Sequence, residues 1–224
     1  MKKCIVGLGI FFSLISSAFS QEFSYGLKGG VNYSMGGQIT GESSGVGNWD
    51  ETIEGTPAYG FHGGVFGQVN FGKFFIRPEV VYTSLELDFE FPEKTSTYSV
   101  QKFDIPLMIG YNVWGPLDIF AGPSYSNILD SALMGNELED PIVVQNTPIN
   151  AQIGAKVEFG RFGIDVRYEH SLSNAEVQNL DIVRSEYGVN RAYFDDARIN
   201  QLIVGVIFKI GGPGLNERRR RACY

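Results

Sequence analysis

The fold is decided by residues 157–169, which read Val-Glu-Phe-Gly-Arg-Phe-Gly-Ile-Asp-Val-Arg-Tyr-Glu. Apolar and polar side chains alternate on both sides of Gly160-Arg161, and this pair has the length and composition of a hairpin turn. The stretch therefore predicts two adjacent antiparallel strands, each with one apolar face and one charged face.

The same period-two alternation recurs along the rest of the chain and predicts eight strands. These strands cover residues 23–33, 59–71, 74–82, 102–112, 117–125, 149–159, 162–169 and 201–209. Short turns are expected at Gly72-Lys73, at Trp114-Gly115-Pro116 and at Gly160-Arg161. The other connections are longer, covering roughly residues 34–57, 128–146 and 172–196, with a shorter one at 92–97.

Strands of about ten residues joined alternately by short and long connections are typical of bacterial outer-membrane barrels. Closure is required in a bilayer because unpaired strand edges cannot face hydrocarbon. The predicted fold is therefore all-β, an eight-stranded antiparallel up-and-down transmembrane β-barrel with short periplasmic turns and long extracellular loops.

Composition agrees with a single folded domain. The 224 residues are 43% hydrophobic and 19% charged, which excludes general disorder. A net charge of −7 disfavours nucleic acid as a partner. No long apolar run follows residue 20, which argues against a helical membrane protein.

The first twenty residues have the layout of a secretory signal peptide. Lys2 and Lys3 precede the apolar stretch Ile5–Ile15, and Ala18-Phe19-Ser20 forms a small-residue cleavage site. A retained membrane anchor is the alternative, but the apolar core is short for a span. We expect a signal peptide at 1–20, a barrel at 21–210, and a disordered basic tail at 211–224 that contains Arg218–Arg221.

The two faces of the strands carry different residues, and this decides which face meets lipid. Six cations and six carboxylates share the polar face, a balance that suits a neutralised, side-chain-filled lumen. This predicted lumen charge network, structural in role, consists of Lys28, Arg77, Glu79, Lys102, Asp104, Asp118, Lys156, Glu158, Asp165, Arg167, Glu169 and Lys209.

Aromatic residues near the strand ends of the apolar face support the same orientation, since such girdles mark bilayer interfaces. They are Tyr59, Phe71, Phe74, Tyr111, Trp114, Phe159, Phe162, Tyr168 and Phe208. A soluble barrel with an apolar ligand cavity is the alternative, and it would place these rings inside. Inward glycines at 26, 30, 64 and 122 are interpreted as relieving crowding in a narrow lumen.

Four segments in order carry a family resemblance. They are Arg77-Pro78-Glu79-Val80-Val81-Tyr82, Phe103-Asp104-Ile105-Pro106-Leu107-Met108, Ala121-Gly122-Pro123-Ser124-Tyr125, and Arg167-Tyr168-Glu169-His170-Ser171-Leu172-Ser173-Asn174. The chain thereby resembles the PorT-like family of small outer-membrane β-barrels of Bacteroidota. The resemblance implies a signal peptide, a location in the Gram-negative outer membrane and, for the named branch, an association with secretion and surface display. Family members tend to end at an aromatic last strand, whereas here fourteen residues follow Phe208-Lys209-Ile210.

Candidate catalytic residues have simpler interpretations. Gly41–Gly45 matches G-x-S-x-G around Ser43, but it lies in a Gly/Ser-rich segment without the helix that this motif requires. His62 and His170 could join Asp165 or Glu169 as an acid/base group, although we favour a lumen position for His62 and a rim position for His170. We therefore expect no enzyme activity, no cofactor and no metal.

The long connections are acidic. Their carboxylates are Glu42, Asp50, Glu51, Glu54, Asp130, Glu137, Glu139, Asp140, Glu176, Asp181, Glu186, Asp195 and Asp196. Solvation of the rim is the favoured interpretation; recruitment of divalent cations or of a basic partner by Glu139-Asp140 or Asp195-Asp196 is the alternative.

These observations predict a non-enzymatic outer-membrane barrel with a role in surface interaction, envelope integrity or secretion. Its expected partners are outer-membrane lipid, lipopolysaccharide and possible envelope or secretion proteins. A narrow solute channel and a rim-located hydrolase are the alternatives, because the fold alone selects none of these functions.

Overall fold

The computed structural model describes residues 22–42, 49–134, 149–173, 178–181 and 191–213. Its strands are β1 (Glu22–Gly41), β2 (Thr52–Glu54), β3 (Thr56–Pro57), β4 (Tyr59–Phe71), β5 (Phe74–Glu90), β6 (Thr95–Trp114), β7 (Leu117–Met134), β8 (Ile149–Phe159), β9 (Phe162–Ser171), β10 (Gln178–Asp181) and β11 (Arg191–Gly211). These ranges contain no helix long and apolar enough to cross a membrane.

Eight of the strands close into a ring. Each strand of the order β1, β4, β5, β6, β7, β8, β9, β11 pairs antiparallel with the next, and β11 pairs back with β1. This arrangement confirms the predicted eight-stranded up-and-down fold.

Three tight turns lie at one end of the ring, which we call the turn end; the opposite end is the loop end. Gly72, Gly115 and Gly160 occupy these turns with φ values of 64°, 55° and 61°. Glycine adopts this left-handed conformation without steric cost, which explains its position in each turn.

The outer surface of the ring is apolar. Val31, Ile109, Ile153 and Ile164 point outward and are 53–62% exposed. Aromatic pairs line both ends of this surface: the ring centroids of Phe74 and Tyr111 are 5.0 Å apart, those of Phe162 and Phe208 5.2 Å, and those of Tyr33 and Tyr59 5.4 Å. An apolar band between two aromatic belts is the arrangement that a bilayer stabilises.

The strands are longer at the loop end than the sequence predicted. Beyond the complete ring, β1, β5, β6, β7 and β11 continue as a wall that we call the loop-end extension, made of residues 34–41, 85–90, 95–100, 126–134 and 191–200. β2 and β3 continue the line of β4 between β1 and β5. The loops expected at 34–57, 128–146 and 172–196 are therefore partly strand, and the one at 92–97 is a tight turn closed by the Phe91 N–H and the Lys94 carbonyl at 2.9 Å.

The inner face of the barrel changes polarity at the base of this extension. On β5, Arg77 and Glu79 point inward within the ring, whereas Leu85, Leu87 and Phe89 point inward above it. They pack with apolar side chains of β1, β6 and β11 and with Trp49 in a buried cluster. The outer face changes in the opposite sense, since Glu86 and Glu90 are exposed.

Three prolines interrupt the pairing of neighbouring strands in the middle of the ring. The β4–β5, β5–β6 and β6–β7 ladders each lack two successive pairs, in gaps occupied by Pro78, Pro106 and Pro123 respectively. Proline has no N–H to donate to a ladder, which accounts for each gap. By contrast, the β8–β9 and β9–β11 ladders are continuous.

Candidate functional site: the charged lumen

The lumen is the candidate site because it contains the twelve charged residues of the predicted network. Ten of them are buried, while Glu158 and Lys209 are half-buried near the turn end. They separate into three groups along the barrel axis, which we call the central, loop-end and turn-end groups.

The central group consists of Lys28, Arg77, Glu79, Asp165 and Arg167. Arg167 makes a two-pronged contact with Glu79, with its NH1 3.0 Å from Oε2 and its NH2 3.2 Å from Oε1. Lys28 Nζ lies 3.0 Å from Glu79 Oε2 and 3.4 Å from Asp165 Oδ2, and Arg167 also donates to Asp165. Such planar, bidentate pairing is the geometry that a guanidinium favours with a carboxylate.

The loop-end group joins Lys102 to two carboxylates. Lys102 Nζ lies 2.7 Å from Glu169 Oε1 and 3.2 Å from Asp104 Oδ1. Neutral side chains add hydrogen bonds: Gln201 donates to the same Glu169 Oε1 at 2.6 Å, and Thr83 donates to Asp104 Oδ2 at 2.8 Å. These hydrogen bonds offset part of the desolvation cost of the excess carboxylate.

The turn-end group is neutral overall. Lys156 Nζ lies 3.2 Å from Asp118 and 2.9 Å from Glu158, and it donates to Gln68 at 2.9 Å. Lys209 Nζ lies 2.7 Å from Glu158. The group therefore joins β4, β7, β8 and β11 at the opening of the barrel.

Aromatic rings lie between the charged groups. The Arg77 guanidinium carbon is 4.0 Å from the Phe66 ring centroid, Lys156 Nζ is 4.6 Å from that of Phe75, and the Arg167 guanidinium carbon is 5.0 Å from that of Phe120. Cation–π attraction strengthens when water is excluded, so these rings stabilise charges whose hydrogen bonding is incomplete. The contact with Arg77 explains why Phe66 points inward on β4, although most other apolar side chains of this strand point outward.

The two histidines have different surroundings. His62 is buried, and its Nδ1 lies 2.7 Å from Asn32 Oδ1. His170 is exposed on β9, where its ring stacks on Tyr168 and its Nδ1 lies 2.8 Å from Asn200 Oδ1. In neither place does the structure pair a histidine directly with Asp165 or Glu169.

The inward glycines act on the wall rather than on the lumen contents. A Cβ atom on Gly26, Gly30, Gly64 or Gly122 would lie 2.0–2.2 Å from a backbone oxygen of the neighbouring strand. The interpretation that these glycines relieve side-chain crowding is therefore incomplete, since their first effect is to let adjacent strands approach closely.

Several other sequence predictions fall on the rim or outside the described residues. Asp196 is bound by the Arg198 guanidinium at 2.6 Å, and the described residues contain no cluster of three or more His, Cys, Asp or Glu able to hold a metal ion. Ser43, Glu139-Asp140, the predicted signal peptide and Arg218–Arg221 lie outside the described residues.

The residues that the sequence reasoning missed are mostly neutral. Gln152 donates to Glu169 at 2.5 Å and accepts from Arg167 at 3.1 Å, and it thus connects the loop-end and central groups. Ser126 donates to Asp104 and accepts from Asn150. Each lies on the inward parity of its strand, which is the one sequence signal that could have identified it.

A solved structure shares this fold over most of the chain. The chain is similar to the outer membrane protein OprG from Pseudomonas aeruginosa, with 14% identity, a TM-score of 0.57, and coverage of 85% of this chain and 97% of that one. It also matches Ail, the attachment invasion locus protein of Yersinia pestis, solved with the heparin analogue sucrose octasulfate, with 10% identity, a TM-score of 0.42, and coverage of 86% and 100%. A search among curated proteins gave no match.

A family model provides the assignment that these distant structures do not. The model for the outer membrane protein beta-barrel domain matches residues 19–176, which is most of the chain and covers the ring from β1 to β9. The protein therefore belongs to the outer membrane protein beta-barrel domain family.

Proposed function

We propose that this protein is a non-enzymatic outer-membrane barrel that acts at the cell surface through its loop-end extension and conducts no solutes. Surface interaction is the primary role, with envelope or secretion proteins and lipopolysaccharide as the class of partner. In this proposal the turn end faces the periplasm, as short turns do in barrels of this type.

The packing of the lumen supports the absence of conductance. The central group joins β5 and β9, which lie on opposite sides of the ring, through the Glu79–Arg167 pair. An eight-stranded barrel is just wide enough for its interior to be filled by side chains. The buried apolar cluster around Leu87, Phe89 and Phe194 lies above the charged groups on the same side as the predicted outer opening.

The loop-end extension is the observation that carries the surface role. It gives the barrel a rigid, hydrogen-bonded wall beyond the apolar band, and binding residues on such scaffolds are held in place by the sheet beneath them. β5 presents Glu86 and Glu90 on the outer side of this wall, where they are exposed.

We also propose that the first twenty residues are a cleaved signal peptide and that the chain belongs to the PorT-like group. Cleavage after Ser20 would leave Gln21 as the first residue, and mass spectrometry of the protein purified from membranes measures this directly. Membership of the PorT-like group of Bacteroidota is supported by the four segments named in the sequence, whose described residues lie within the ring or at its rim.

Planar-bilayer recording tests the closed lumen. We expect no single-channel steps from the purified protein, because the lumen groups are joined by direct contacts. Discrete, reproducible steps in wild-type protein would contradict the proposal. Glu79→Ala serves as the comparison, since loss of the cross-lumen pair should make transient conductance more frequent.

Crosslinking in intact cells tests the surface role. Partners captured by wild type should be lost in the Glu86→Lys/Glu90→Lys variant on the extension and retained in Lys73→Glu at the turn end. Equal capture by all three proteins would argue against the extension as the interacting surface.

A further inference from the structure

Arg77 is the lumen residue whose hydrogen-bonding capacity is least used among the described residues. The residue is 1% exposed, and none of its three guanidinium nitrogens makes a hydrogen bond. Its Nε lies 2.9 Å from Glu79 Oε1, so the contact is an ion pair without hydrogen-bond alignment. Burying a guanidinium with this many unused donors is costly unless a further group accepts from them.

The neighbouring carboxylates are shared with other cations, although Asp165 Oδ1 has no hydrogen-bond partner in the described part of the chain. Arg167 and Lys28 both bind Glu79, and the same two residues bind Asp165. The central group therefore contains three cations and two carboxylates, and so one positive charge in excess. Phe66 covers one face of the Arg77 guanidinium. The N–H groups lie at the edge of the guanidinium and make no hydrogen bond.

Arg77 has both cations and carboxylates around it, since Glu79 and Asp165 lie within its electrostatic reach as well. Lys28 and Lys156 both lie within electrostatic reach of its guanidinium. In a medium of low dielectric, such a local excess of positive charge attracts an anion strongly. A water molecule would accept from the donors but would leave the charge excess unchanged.

We propose that Arg77 binds a small monovalent inorganic anion, with chloride as the abundant example, inside the barrel. A single-atom anion fits a guanidinium this deeply buried better than a carboxylate or a phosphate would.

The first experiment locates a halide in the wild-type protein. Crystals of the barrel in detergent are soaked in sodium bromide, and anomalous diffraction is measured at the bromine edge. We expect a peak within hydrogen-bond distance of the Arg77 NH1 or NH2 atoms. Anomalous maps without a peak there would overturn the proposal and leave water as the partner of Arg77.

The second experiment measures the effect of the anion on stability. Thermal unfolding is followed while sodium chloride replaces sodium gluconate at constant ionic strength, because a ligand of the folded state raises Tm with its concentration. We expect a saturable rise in Tm for wild type, and the loss of this rise in Arg77→Met, which keeps an apolar stem over Phe66.

Lys209→Gln is the matched control, since it removes a lumen cation that contacts Glu158 rather than the central group. It should keep the chloride-dependent shift of the wild type. An equal shift in Arg77→Met, or none in wild type, would contradict the assignment. If Arg77→Met fails to fold, the bromide peak in the wild-type protein still decides the question.

Discussion

Arg167 on β9 binds Glu79 on β5 from the opposite side of the ring, and the two residues are separated by 88 positions in the chain. The pair thus joins two walls of the barrel that share no backbone hydrogen bonds. Lys28 on β1 and Arg77 on β5 contact the same carboxylate. Glu79 is therefore the residue on which the central group converges.

Replacement of Glu79 tests the energetic role of this convergence. Glu79→Gln leaves three buried cations with Asp165 alone, and breaking a buried pair in this way costs about 3–5 kcal/mol. We expect a lower urea midpoint in detergent, measured by tryptophan fluorescence. Glu86→Gln, on the exposed outer face, should differ little from wild type, and a Glu79→Gln protein of wild-type stability would contradict the expectation.

The costs of Glu79→Gln and Arg167→Gln should also be non-additive in the double variant, because the two side chains are in contact.

Adjacent glycines on β4 provide a matched test of close strand approach. A Cβ on Gly64 would lie 2.2 Å from the Val80 carbonyl oxygen, whereas a Cβ on Gly63 would meet no atom within 4 Å. Gly64→Ala should destabilise the barrel by roughly 1–3 kcal/mol through overpacking. Gly63→Ala should be neutral or slightly stabilising, because it restricts the unfolded chain. Heat-induced mobility shifts in gels give the order of stability, and equal behaviour of the two variants would refute the steric argument.

The proline gaps predict an uneven pattern of hydrogen exchange. Amides bordering Pro78, Pro106 and Pro123 should exchange faster than those of the continuous β8–β9 ladder, since they belong to interrupted pairings. NMR of the barrel in micelles measures both sets in one sample. Pro123→Val restores a donor at an outward position and should slow exchange at its neighbours on β6. Uniform protection around the ring would show that the gaps have no energetic effect.

The Asp196–Arg198 pair predicts a local dependence on acid at the rim. Partial burial acts to raise the pKa of Asp196, but hydrogen bonds from the side chain and backbone N–H of Arg198 outweigh it and hold the pKa below its ordinary value of 3.8. The contribution of this carboxylate is therefore present above that value and is lost as the pH falls through the lower folded pKa. An NMR titration of the Asp196 carboxyl carbon should give a pKa that returns toward the ordinary value in Arg198→Gln. An unchanged pKa in that variant would exclude Arg198 as the cause.

The ring could be predicted from the sequence because lipid outside and charge inside impose alternation over every spanning strand. The loop-end extension could not, because its alternation has the opposite sense. In β5 the apolar positions change from Ile76 and Val80, which face out, to Leu85 and Leu87, which face in. A reversal of this kind in a linear pattern resembles the end of a strand, although here the strand continues from hydrocarbon into water.

The charged positions are readable from parity, but their partners are not. Lys28 and Glu79 are 51 residues apart, and their contact depends on the stagger of the strands around the ring. Stagger leaves no local mark in the sequence. The contacts of Gln152 could not be predicted for the same reason. Alternation identifies this position only as polar and inward, whereas its amide joins the loop-end and central groups.

The reversal of polarity along β5 has a consequence for which residues of the loop end can vary. The loop-end extension encloses an apolar core of its own, as a small water-soluble β-sheet protein does. Its packing therefore does not depend on contact with lipid. Substitutions on the outer side of the extension can therefore change its charge without altering the lipid-facing side chains of the ring.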